Sequence, residues 1–109
     1  MQNNLTPEQV AKLASIYHVL AHSDRIHLLR ILFLGPKAYS ELMFESRTNP
    51  RMLTWHLKML KKSPIPFIEK EQGKKGRYYL TGFGKVYNEK IYPYDLALVE
   101  YLMKHRKSD

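Results

Sequence analysis

Asn49-Pro50-Arg51-Met52-Leu53-Thr54-Trp55-His56-Leu57-Lys58-Met59-Leu60-Lys61-Lys62 is the stretch whose reading decides the fold. It opens as a helix opens. The Asn49 side chain can cap the first free backbone N–H groups, and Pro50 suits the first helical position, where its missing N–H costs nothing. The residue before a proline is pushed out of helical geometry, as a cap must be. At about 100° per residue, Leu53, Leu57 and Leu60 share one side, flanked by His56. Arg51, Trp55, Lys58 and Lys62 fall on the other side with Thr54 beside them. That polar face has cations, an indole and a hydroxyl but no acid. A solvated face normally mixes both signs, so this one implies a polyanionic partner, although an ordinary basic surface helix would look the same in isolation.

The charge of the whole chain is placed the same way. Of 18 Lys and Arg against 10 Asp and Glu, residues 47–85 contain ten cations and only two acids, Glu69 and Glu71. Ten minus two is the whole net charge of +8. A basic half beside a neutral half is the electrostatic footprint of nucleic-acid binding. An anionic membrane surface is a poorer match, because the helix lacks the broad Trp/Phe/Leu face of an interfacial helix. The 109 residues make one domain, 1–109, with a hydrophobic content of 44% that befits a folded core. No apolar run approaches the ~20 residues that span a bilayer. The polar start Met1-Gln2-Asn3-Asn4 has no secretory pattern, and the absence of Cys removes disulfides and thiolate metal sites. A cytoplasmic protein is expected.

Working outward from 49–62, Ser40 to Ser46 reads as a short helix with Leu42 and Met43 inward, joined through Arg47-Thr48 to the Asn49 cap. Two short helices with a tight turn between them, the second basic, make a helix-turn-helix pattern. Pro64 and Pro66 close the second helix. Phe67 to Glu71 and Arg77 to Thr81 read as strands around the turn Gln72-Gly73-Lys74-Lys75-Gly76, which is a hairpin signal. A lysine-tipped hairpin directly after a basic helix is a wing, able to reach phosphates or the minor groove; a flexible surface hairpin would carry the same residues. Before these, Ser23 or Asp24 starts a helix with Ile26, Leu28, Leu29, Ile31, Leu32 and Phe33 on a wide apolar face, ended by Gly35-Pro36.

The two ends of the chain hold the remaining helices. Leu5 to Ala21 has Thr6, Pro7 and Gln9 placed as a capping box, and Leu5 and Val10 placed as a hydrophobic staple. Its stripe includes Val10, Leu13, Ala14, Tyr17 and Leu20. After Thr81-Gly82-Phe83-Gly84, a second stripe runs through Val86, Tyr87, Ile91, Tyr94, Leu98, Tyr101 and Leu102, with Pro93 kinking or splitting the helix near Tyr92. Lys104 to Lys107 add a short basic tail. One core of this size cannot cover both stripes, so a second copy is expected to cover the surplus. The expected dimerisation segments are 1–21 and 83–106, with Leu13, Tyr17, Tyr87, Ile91, Tyr94, Leu98, Tyr101 and Leu102 as interface residues.

In this arrangement the chain resembles winged helix-turn-helix transcription regulators from roughly Val19 to Ile91. Val19 to Leu32, V-L-A-H-S-D-R-I-H-L-L-R-I-L, resembles the ArsR-type segment A-L-A-D-P-T-R-L-R-I-L-R-L-L. Ser40-Glu41-Leu42 is similar to its S-E-L, and His56 to Leu60 to its H-L-K-x-L. Asn49 to Thr54 is closer to the S-P-R-x-L-T of HxlR-type regulators, and Tyr78 to Gly84 resembles the Y-x-L-T-x-x-G that ends the wing. The resemblance implies a mainly α fold with a small β-hairpin. Helix 50–62 would enter the major groove and wing 67–81 would lie on the backbone or minor groove, in a homodimer that binds specific double-stranded DNA. The DNA-binding set is then Arg47, Asn49, Pro50, Arg51, Thr54, Trp55, Lys58 and Lys62 with Lys74, Lys75 and Arg77. Arg51 and Thr54 can read base edges. The alternative is an architectural protein of the same fold that coats DNA with little sequence preference. Two departures stand out: the usual L-G-L corner is Ser46-Arg47-Thr48, and the cysteines of metal-sensing ArsR and of HxlR proteins are missing, so their sensing chemistry does not carry over.

Other chemistry finds little footing. His18 and His22 stand four apart, a spacing that can hold a metal, but no clear third ligand accompanies them; His27 or a carboxylate from a partner chain would have to serve. His56 matches a family position that packs beneath the recognition helix and is assigned to structure. No Gly-rich phosphate loop, catalytic carboxylate pair or Ser–His motif is present, so no enzyme, metal or cofactor is expected, and no motif specifies an effector.

Overall fold

The computed structural model describes residues 4–105. Within them, six α-helices and a two-stranded sheet follow one another as α1 (Pro7–Leu20), α2 (Ser23–Phe33), α3 (Tyr39–Ser46), α4 (Pro50–Lys61), β1 (Ile68–Lys70), β2 (Tyr78–Leu80), α5 (Gly82–Val86) and α6 (Tyr92–Lys104), with a π-helical turn, Tyr87–Ile91, between the last two. The fold is a winged helix-turn-helix. Arg106 and Lys107 of the basic tail, and the ends of segments 1–21 and 83–106, lie outside the described residues.

Capping sets most of the helix starts. Thr6 and Gln9 form the reciprocal box at α1, and Thr81 accepts from the Gly84 N–H at α5. α2 starts at Ser23, within the expected Ser23 or Asp24, and its cap is His22, whose Nδ1 accepts from the Asp24 N–H at 3.3 Å. The core then forms from Leu28, Leu29 and Leu32 of α2, Leu42 of α3, Leu53, Leu57 and Leu60 of α4, and Phe67, Ile68 and Leu80 of the hairpin. Burying side chains of this size contributes on the order of 1.5–3 kcal/mol each, which orders the helix-turn-helix around α2. α5 lies close against β1: a Cβ on Gly84 would meet the Phe67 carbonyl oxygen, so only glycine fits there.

Near Tyr92, where Pro93 is expected to kink or split the last helix, a π-helical turn over Tyr87–Ile91 divides it and α6 starts at Tyr92. A proline in a regular helix clashes with the carbonyl four residues back. Here the backbone widens instead, and the Tyr92 N–H reaches Tyr87 O, five residues back. α6 therefore continues past the proline and none of its residues is buried. Tyr87 corrects an expectation. Its place in the apolar stripe assigns it to a dimer surface, yet it is 0% exposed, edge-on to Phe67 at 6.0 Å between ring centroids. The π turn swings it inward, out of register with the α6 stripe. Ile91 is half-buried against the same core, so it too belongs more to the fold than to the surface. Tyr94, Leu98, Tyr101 and Leu102 are exposed, as are Leu13 and Tyr17 on α1.

Candidate nucleic-acid interface

α4 is fixed at its start by Asn49, whose side-chain oxygen accepts from the Met52 N–H at 2.9 Å. Leu53, His56, Leu57 and Leu60 are buried; Arg51, Thr54, Trp55, Lys58, Lys61 and Lys62 are exposed. Asn49 and Pro50 are exposed at the helix start, but the Asn49 side-chain oxygen is already used by the cap. Lys61 joins this face, although the expected DNA-binding set does not include it. It lines a groove between α4 and the wing together with Lys58, Lys62, Thr54, Tyr39 and Tyr78. The doublet Lys61-Lys62 is the signal for it in the sequence, and helical position puts only the second on the polar face.

The corner before α4 depends on Arg47. It caps α3 at φ 56°, in the left-handed region, where the resembling families place glycine. A side chain is strained in that region, by roughly 1–2 kcal/mol. The residue stands two before Asn49, at the very corner of the motif. The helix-turn-helix geometry thus survives the departure from L-G-L.

A second helix-to-helix link lies beneath α4. The Nε–H of buried Arg25 donates to His56 Nδ1 at 3.1 Å, and its Nη1 donates to Val19 O. His56 Nε2 faces Asp24 Oδ2 at 3.5 Å. Burial, with further contributions from His22 and Arg25, holds the His56 pKa below its ordinary value. His22, Asp24 and His56 bring one donor atom each within 4.8 Å of one another, a grouping other than the His18 and His22 pair that the sequence spacing offers. The hydrogen bonds argue against a metal there. Arg25 Nε–H and the Asp24 backbone N–H can only donate, so both imidazoles accept at Nδ1 and carry their proton on Nε2. A ligating Nε2 needs the opposite tautomer, and the Arg25 cation adds repulsion. The cluster ties α2 to α4.

Tyr39, at the first position of α3, is a member of this site that the sequence does not single out. Its hydroxyl donates to Pro50 O at 2.9 Å and lies 2.9 Å from Thr54 Oγ1. An aromatic residue beside S-E-L gives no sign of where its hydroxyl points.

The wing pairs Ile68 with Leu80, Glu69 with Tyr79 and Lys70 with Tyr78. Lys37 adds a bridge to Tyr78, with N–H···O bonds of 2.9 and 2.7 Å, anchoring the hairpin to the start of α3. Lys74 and Lys75 are exposed at the tip. Arg77 is differently placed from the free phosphate ligand expected of it. Its backbone N–H, Nε and Nη2 all donate to the Glu71 carboxylate at 2.9–3.2 Å, which pulls that carboxyl below the usual range. Its first role is to close the turn. Gly76 is required in the same turn, since a Cβ there would run into the Glu71 carbonyl.

No family model and no curated protein matches the chain. Solved structures do. The homodimeric winged helix-turn-helix DNA-binding domain of a possible ArsR-family transcriptional regulator from Mycobacterium bovis superposes with a TM-score of 0.69 at 17% identity, covering 99% of this chain and 100% of that one. HlyU from Vibrio cholerae matches with a TM-score of 0.63 at 17% identity over 93% and 98% of the two chains. An ArsR-like transcriptional regulator from a Rhodococcus species gives 0.59 at 20% identity over 88% and 94%. This chain shares their fold almost from end to end.

Proposed function

We propose that the protein is a sequence-specific, double-stranded DNA-binding transcription regulator that acts as a homodimer. The observation that carries this is the exposed face of α4, where Arg51, Trp55, Lys58, Lys61 and Lys62 stand together without an acid. In this fold the N-terminal part of that helix enters the major groove. Arg51, at the start of the helix, can pair bidentately with guanine O6 and N7. Lys74 and Lys75 at the wing tip meet phosphate as point charges. The apolar α1 and α6 faces support a two-fold dimer, which would set two recognition helices roughly 34 Å apart on a pseudo-palindromic site.

Reading and holding separate in a salt titration of two variants on two DNAs. Arg51→Ala should cost about 1–3 kcal/mol on a site selected from random sequence and much less on bulk DNA. Lys75→Ala should weaken both by a similar factor and lower the salt slope by about one unit for each phosphate it leaves unneutralised. Equal effects of Arg51→Ala on the two DNAs would replace the regulator with an architectural protein.

A further inference from the structure

Pro50 O, the Tyr39 hydroxyl and Thr54 Oγ1 form a chain of three oxygens on the DNA-facing side of α4, with both links 2.9 Å long. Direction along the chain follows from chemistry. A carbonyl oxygen only accepts, so the single phenolic proton of Tyr39 is committed to Pro50 O. The link between Tyr39 and Thr54 then has one proton left to use, that of Thr54. The Thr54 hydroxyl donates to Tyr39 and is left with lone pairs alone toward solvent. The reverse assignment would leave the Tyr39 and Pro50 oxygens 2.9 Å apart with no proton between them.

Thr54 is exposed, one helical turn after Arg51 on the same face. Resting on the DNA-binding reading above, we infer that Tyr39 makes Thr54 an obligatory acceptor and so sets which bases it takes. A free threonine hydroxyl serves either polarity and discriminates poorly. One that can only accept needs a donor, and in the major groove the donors are adenine N6–H₂ and cytosine N4–H₂. Guanine presents O6 and N7 and thymine presents O4, all acceptors. Phosphate is excluded as the Thr54 partner for the same reason, which leaves the backbone to Lys58, Lys61 and Lys62 around the groove. The preferred half-site therefore holds a guanine under Arg51. Close to it, adenine or cytosine occupies the strand position facing Thr54. Tyr39 is a positioning residue here; it acts through Thr54 and touches no base.

The experiment is selection of bound sequences from a randomised duplex library by the full-length protein, repeated with Tyr39→Phe, Thr54→Val and Arg51→Ala. Arg51→Ala marks the guanine position, and Thr54→Val marks the position that depends on threonine. At the latter the native protein should favour adenine or cytosine over guanine or thymine about five- to tenfold, the worth of one hydrogen bond. Tyr39→Phe should relax that position and leave the guanine position intact, which a general loosening of α3 against α4 would not do. Thermal unfolding of each variant checks that it is folded. A Tyr39→Phe profile identical to the native one, or guanine or thymine at the Thr54 position, overturns the role of Tyr39 while the regulator reading stands. A native protein that enriches no sequence overturns both.

Discussion

At the scale of single residues, His56 shows how burial and hydrogen bonding set a protonation state. It is fully buried, accepts from Arg25 at Nδ1, and stands beside His22 and Asp24. Adding a proton at Nδ1 would set N–H against N–H and a second cation against Arg25, out of water. Desolvation is the largest cause of its lowered pKa, and Asp24, which opposes the shift, does not outweigh it. The sign for stability follows. The unfolded chain takes up this proton near the ordinary pH of 6.5 while the folded chain resists. The contribution is therefore whole above that pH and is lost as pH falls from there toward the folded pKa. Urea unfolding between about pH 8 and 5 should show stability falling below about pH 6.5, and His56 ring protons should titrate lower than free histidine. A His56 titration at or above the ordinary value would refute this account. Asn49 as cap and the exposed face of α4 are legible from spacing, and His56 as structural from the family resemblance. The conformation of Arg47 and the polarity of Thr54 are not, because both depend on a neighbour brought in by the fold.

At the scale of elements, α5 (Gly82–Val86) reads in the sequence only as the lead-in to the last helix, while α1 to α4, the start of α6 and both strands are legible to within a few residues, because caps, prolines and periodicity mark local boundaries. The junction of the last two helices is not. Proline announces a disturbance, but how the backbone takes it up is decided by what the residues before it must reach. Here the π turn lets Tyr87 and Asn88 both point inward. Asn88 is 3% exposed; its Nδ2 donates to Leu29 O and Gly84 O at 3.2 and 3.0 Å, and its Oδ1 accepts from Arg30 Nη1 at 3.0 Å. The Arg30 guanidinium in turn lies 3.9 Å over the Tyr92 ring. A polar side chain thus holds the last helical segment to α2 where an apolar stripe is expected. Asn88→Ala strands these partners in a dry site and should cost about 2–3 kcal/mol by denaturant unfolding. A change under about 0.5 kcal/mol, the range of an ordinary surface substitution, would mean that Tyr87 and its apolar neighbours alone hold the junction.

At the scale of the whole molecule, the chain exposes more than its mass warrants. A compact monomer of 12.9 kDa should present about 6,300 Å². This chain presents 8256 Å², and its radius of gyration of 15.9 Å exceeds the roughly 13 Å of a compact chain of this length. Much of the apolar excess lies on α1 and α6: Tyr17 at 57%, Leu98 at 57% and Tyr101 at 59% exposure, with no residue of α6 buried. A surplus of about 2,000 Å² on one protomer exceeds the ~800 Å² per partner of a standard interface, so a second copy can cover these helices with room to spare. The exposed apolar residues of α6 sit outside the core that holds α4 and the wing. Charging them should therefore separate assembly from folding. Leu98→Glu combined with Tyr101→Glu should turn a dimer at micromolar concentration into a monomer by sedimentation equilibrium. The monomer should keep its helical circular dichroism and bind a two-half-site duplex on the order of 10²-fold or more weakly, since one recognition helix no longer tethers the other. On a single half-site the two proteins should bind nearly alike. A native protein that sediments as a monomer with and without DNA, or a charged variant that binds the two-half-site duplex as well as the native protein does, would remove the dimer and leave the apolar faces to another partner.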